Sequence, residues 1–123
     1  MGQGAKSPPD HVPRPEEKVI MRHEKLVRDL IPQIIEENGH EAVIKTLEDE
    51  EYLMALKEKL REEVEEYIES EDVEELADIM EVIHAFLEFH TLSYSEVENV
   101  RQKKLEERGG FSGKIFLIET SEG

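Results

Sequence analysis

Lys59-Leu60-Arg61-Glu62-Glu63-Val64-Glu65-Glu66, then a Ser70-Glu71-Asp72 break, then Glu75-Leu76-Ala77-Asp78, describes two consecutive helices whose acids fall at spacings of three and four. Placing successive residues about 100° apart around the first of these helices puts Leu53, Leu56, Leu60, Val64 and Tyr67 in one apolar stripe. Glu63 stands at the edge of that stripe, and Lys59, Glu66 and Glu62 follow on the same side. Glu65 and Glu69 point elsewhere. The second helix is apolar over more than about 150° of arc, through Leu76, Ile79, Met80, Val82, Ile83, Phe86 and Leu87, which predicts packing on several sides. Glu74, Glu81 and Glu88 collect on its solvated face. Glu75 and Asp78 instead head a column that continues as Val82, Ala85 and Phe89.

Carboxylates beside a core are costly unless paired, hydrogen-bonded or ligated. Residues 48–81 hold sixteen acids against three bases, so their own lysines and arginine cannot neutralise them. A divalent cation can, and Mg²⁺ favours oxygen ligands while keeping waters and substrate phosphates as partners. The same residues also read as a solvated acidic face. That description suits Glu65, Glu69, Glu74, Glu81 and Glu88, and suits Glu62, Glu63, Glu66, Glu75 and Asp78 poorly.

The helices extend outward from this pair. The first of the two is expected from Asp49 or Glu50 to Glu69. The second is expected from Val73 to His90, with Asp72 able to cap it and Glu75 close to a capping-box position. Ser93 and Glu96 form a Ser-x-x-Glu box that starts a further helix, from Tyr94 to about Arg108, closed by Gly109-Gly110. Upstream, Asp29 is a candidate N-cap for a short helix carrying Ile31, Ile34 and Ile35, with Pro32 in its first turn and Asn38-Gly39 as its stop. Glu41 to Leu47 reads as a short strand whose one plausible partner is Lys114 to Glu119, where Ile115-Phe116-Leu117-Ile118 is rich in β-formers. The expected fold class is therefore mainly α, in a single domain over 23–120 with one small two-stranded β pairing. Residues 1–22 read as a flexible leader, with Pro8, Pro9, Pro13 and Pro15 and few apolar residues.

Composition narrows the function. The chain has 123 residues and a formal net charge of −16, which opposes any broad grip on nucleic acid or an anionic membrane surface. There are no cysteines, which excludes disulfides and thiolate-held metals. No apolar run reaches the ~18 residues a membrane span needs, and no segment resembles a signal peptide, so a cytoplasmic location is expected. So short a foldable chain, with so wide an apolar arc, predicts a homodimer or homotetramer.

The carboxylate pattern resembles the Glu-Glu-x-x-Glu … Glu-x-x-Asp signature of the all-α nucleoside triphosphate pyrophosphatases, a superfamily that includes MazG proteins, dimeric dUTPases and phosphoribosyl-ATP pyrophosphohydrolase. Lys25-Leu26-Val27-Arg28-Asp29-Leu30-Ile31-Pro32 and Lys104-x-x-x-Arg108-Gly109-Gly110-Phe111 are similar to a MazG-like subgroup labelled phosphoribosyl-ATP pyrophosphohydrolase-like. The resemblance runs from about Lys25 to Ile118. It implies a four-helix bundle-type fold holding Mg²⁺ (or Mn²⁺) through Glu62, Glu63, Glu66, Glu75 and Asp78. It also implies hydrolysis of a nucleotide substrate between its α- and β-phosphates, to a monophosphate and pyrophosphate, in nucleotide house-cleaning. Glu63 or Glu66 is the candidate general base. Phosphate contacts are expected from Lys104 and Arg108, one turn apart, from Lys25 and Arg28, and from Lys59, which alternatively pairs only with Glu63. The alternatives are phosphoribosyl-ATP pyrophosphohydrolase proper and a non-catalytic acidic helical module. His84 lies opposite Glu75 and Asp78 and is read as a packing or surface residue.

Overall fold

The computed structural model describes residues 19–123; residues 1–18, most of the expected leader, lie outside the described residues. Four helices follow in order: α1 (Ile31–Glu37), α2 (Asp49–Ser70), α3 (Val73–Phe89) and α4 (Tyr94–Arg108). The protein is mainly α, as its periodicity predicts. None of the helices is long and apolar enough to cross a membrane.

The centre of the fold is an antiparallel hairpin of α2 and α3, the one pair of helices that packs extensively. Its turn is short for local reasons. Glu71 adopts a left-handed conformation (φ 57°) as the C-cap of α2, its N–H returning to the Tyr67 carbonyl. The next residue, Asp72, already caps α3 by accepting from the Glu74 N–H at 3.2 Å. The expected capping-box return from Glu75 is not made: Glu75 turns its carboxylate towards α2 instead.

The seam between the two helices is rotated from the one the apolar stripe suggests. Leu56 is the most buried residue at 1% exposure, and Glu63 follows at 5%, whereas Val64 is 36% and Ile68 65% exposed. Glu63 thus lies at the centre of the contact rather than at its edge. On α3 the buried or half-buried column is Glu75, Asp78, Val82, Ala85 and Phe89, the one the sequence marks. Leu76, Met80 and Ile83, on the far side of the apolar arc, stay exposed. At the open end of the hairpin, Tyr52 of α2 meets Phe89 of α3 with ring centroids 6.0 Å apart.

The remaining elements correct two expectations. Leu30, not Asp29, occupies the N-cap of α1 and makes no side-chain cap, because the helix begins one residue later than Asp29 as its cap would place it. Pro32 does sit in the first turn, and Asn38 and Gly39 (φ 87°) do end it. The β pairing of 41–47 with 114–119 is absent: among the described residues there is no strand. Their central apolar residues lie open, with Val43 at 99% and Ile115 at 91% exposure. A lone two-stranded ribbon without a packed side is marginal in water. Lys114 is also bent into a left-handed turn (φ 59°), its N–H bonded to the Phe111 carbonyl. α3 runs as expected, from Val73 to Phe89 with His90 as its cap. The Ser93–Glu96 capping box of α4 forms in full.

Since Leu56 anchors the hairpin, Leu56→Ala is expected to cost about 2–5 kcal/mol of stability, the range for an aliphatic side chain removed from a packed seam. Denaturant unfolding of both proteins measures it.

Candidate metal centre

The five carboxylates singled out in the sequence converge between α2 and α3. Glu62, Glu63 and Glu66 bring ligand atoms within 4.8 Å of one another along α2, and Glu63, Glu75 and Asp78 do so across the seam. Glu63 belongs to both groups, which follows from its place at the centre of the contact.

Three cations border the cluster. Lys59 Nζ lies 3.2 Å from Glu63 Oε2 and 3.5 Å from Glu62 Oε1. Lys25 Nζ donates to Glu62 Oε2 at 3.1 Å, and Arg28 donates to Asp78 Oδ1 at 2.7 Å. These last two contacts join residues 37 and 50 positions apart, and they fasten the segment preceding α1 to both helices of the hairpin. Five carboxylates against three cations leave the cluster electrically short of positive charge. Two buried oxygens, Glu63 Oε1 and Glu75 Oε1, have no hydrogen-bond partner among the described residues. A buried carboxylate oxygen left in this state costs free energy, and an oxygen-seeking divalent cation is a group that would satisfy both at once. The residues present therefore fit Mg²⁺ or Mn²⁺.

The electrostatics follow the burial. Desolvation pushes the Glu63 carboxyl above its ordinary value of 4.5, Lys59 opposes this, and the neighbouring charges of Glu66 and Asp78 add to it. Glu62 is also desolvated, but Lys25 and Lys59 outweigh that and hold its carboxyl below the ordinary value. Burial lowers the Lys59 ammonium, and Glu63 and Glu62 more than reverse the effect. So Lys59 stays charged, and Glu63 holds its proton more strongly than an ordinary glutamate does.

A cleft of about 630 Å³ opens beside the cluster between residues 24–26 and α2. Lys25, Lys59 and Glu62 belong to both the cleft and the carboxylate cluster; Lys57 and Arg61, which sequence reasoning passed over, line it too, and Leu26 and Met54 give it an apolar side. Periodicity could have shown Lys57 and Arg61 on α2 but not the segment that faces them. Lys104 and Arg108 are exposed on α4, and among the described residues neither forms an ion pair with the carboxylates. His84 is exposed and stacks on Tyr94 at 5.8 Å, away from the site.

No family model matches the chain, and no solved structure matches it. An uncharacterised protein of Mycolicibacterium smegmatis is 55% identical over 42 residues, which is 34% of this chain and 43% of that protein. The chain thus spans less than half the length of the relative it matches.

The raised Glu63 pKa has a testable sign. Between the ordinary value and the raised one, the folded state binds more protons than the unfolded chain, so Glu63 takes stability away as pH rises through that window. Metal-free Glu63→Gln is therefore expected to melt a few degrees above the wild type at pH 7. The gap should close as pH falls below about 4.5. Thermal melts in chelator across pH check it.

Proposed function

We propose that this protein is a Mg²⁺-dependent nucleoside triphosphate pyrophosphohydrolase, cleaving the α–β phosphoanhydride to a monophosphate and pyrophosphate. The observation that carries the reading is the pair of buried, unpartnered oxygens of Glu63 and Glu75, set among three further carboxylates at a helix seam. The sequence resemblance to the all-α pyrophosphatases, MazG-like proteins among them, points to the same five residues. Glu62, Glu63, Glu66, Glu75 and Asp78 would hold the ion, which when bound supplies charge neutralisation for phosphate oxygens and acidifies the attacking water.

The chain's own residues divide the remaining work. Glu66 is exposed and makes no ion pair among the described residues, which supports it as the base that takes the proton from water. Glu63 is engaged by Lys59 and is better suited to the ion. Lys25, Arg28 and Lys59 stand at hydrogen-bond or ion-pair distance from the carboxylates, close enough to share a phosphate chain bound there. A cytoplasmic house-cleaning role on unwanted nucleotides follows from this chemistry. The exposed Leu76, Met80 and Ile83 support assembly as a homodimer or homotetramer. Phosphoribosyl-ATP is the alternative substrate, since the bond cleaved is the same.

The test is pyrophosphate release with Mg²⁺ across canonical and damaged nucleoside triphosphates and phosphoribosyl-ATP. Turnover should vanish with chelator and fall at least a hundredfold in Asp78→Asn. Absence of both turnover and Mg²⁺ binding would leave the acidic interaction module as the better reading.

A further inference from the structure

Lys25 is committed twice. It donates to Glu62 at 3.1 Å, and it lines the cleft in which Lys57, Lys59 and Arg61 also stand. Glu62 accepts from Lys25 on one oxygen and faces Lys59 on the other, so both of its oxygens are engaged by cations. The group formed by Glu63, Glu75 and Asp78 differs: it has the two unpartnered oxygens, and Arg28 engages Asp78 through Oδ1. A cation can therefore enter the seam while every lysine stays in place. At Glu62 it meets an ammonium already facing each oxygen, so that carboxylate becomes a better ligand once one of them lets go.

We propose that Lys25 is a displaceable counter-ion: it occupies Glu62 while the cleft is empty and moves to the phosphate chain when a polyphosphate enters, freeing Glu62 for metal. The proposal rests on the metal-centre reading above. Its physical basis is that the Lys25 side chain is 44% exposed and flexible, so it can swing between two anions at little cost. Lys59, at 17% exposure and bonded to both Glu62 and Glu63, is the less mobile of the pair. Metal and phosphate binding are thereby coupled through one side chain, each favouring the other. The ligand class is a polyphosphate anion, with Leu26 and Met54 forming the apolar side of its seat.

The signature is a pair of changes with opposite signs. Calorimetric titration of the metal-stripped full chain with Mn²⁺ should show Lys25→Met binding the ion about threefold or more tightly than wild type, because a competing partly exposed ion pair is gone. Titration with inorganic tripolyphosphate in excess Mg²⁺ should show the same variant binding about threefold or more weakly. Lys25→Arg, which keeps the charge, should return both affinities towards wild type. A Lys25→Met protein whose two affinities fall together, or do not move, would make Lys25 a structural strap or a spectator and overturn the proposal. So would a wild type that takes Mn²⁺ but not Mg²⁺-tripolyphosphate. A wild type that takes up no Mn²⁺ would instead overturn the metal-centre reading itself.

Discussion

One acidic side chain sets the terms for the rest of this molecule. Glu63 sits at the middle of the α2–α3 seam, 5% exposed, where a helical hairpin would ordinarily place leucine. A carboxylate there must be neutralised, hydrogen-bonded or ligated. The surrounding chain answers with Lys59 one turn before it, and with Lys25 and Arg28 brought from outside the hairpin to its neighbours Glu62 and Asp78. The answer is incomplete, since Glu63 Oε1 and Glu75 Oε1 remain without partners. A sequence specifying only a stable hairpin would place an apolar residue at the position of Glu63, because well-packed apolar groups are often at least as stabilising as a buried ion pair. An unsatisfied acid at the centre of the packing is the observation from which the proposed metal site starts.

Much of the fold is legible in the sequence because its signals are local. The helices of the hairpin and their break follow from apolar period and from Asp72, and the start of α4 follows from Ser93 and Glu96, whose box forms in full. The failures arise where local signals lacked tertiary support. Ile115 to Ile118 is a good strand in isolation, yet nothing covers its side chains, so it joins no strand and stays exposed. Asp29 is a good cap by residue type, but α1 begins at Ile31 and leaves it behind.

The grouping of the acids was legible to the same degree and for the same reason. Helical phase alone separates Glu62, Glu63, Glu66, Glu75 and Asp78 from the solvated acids, and the structure brings those five together. Phase could not locate the centre of the seam, which is set by how α3 docks, and so it left Glu63 at the margin and Val64 inside. Nor could it show that Lys25 and Arg28 reach across 37 and 50 residues to Glu62 and Asp78 while Lys104 and Arg108 do not join them. Long-range ion pairs leave no periodic trace.

On the reading proposed above, the seam between α2 and α3 is a divalent-cation site built around Glu63. Anomalous diffraction from crystals soaked in Mn²⁺ tests it most directly. The account predicts a strong peak within coordinating distance of Glu63, Glu75 and Asp78 that disappears in Glu63→Gln. Manganese found only at exposed acids such as Glu65 or Glu81, with the seam empty, would contradict it.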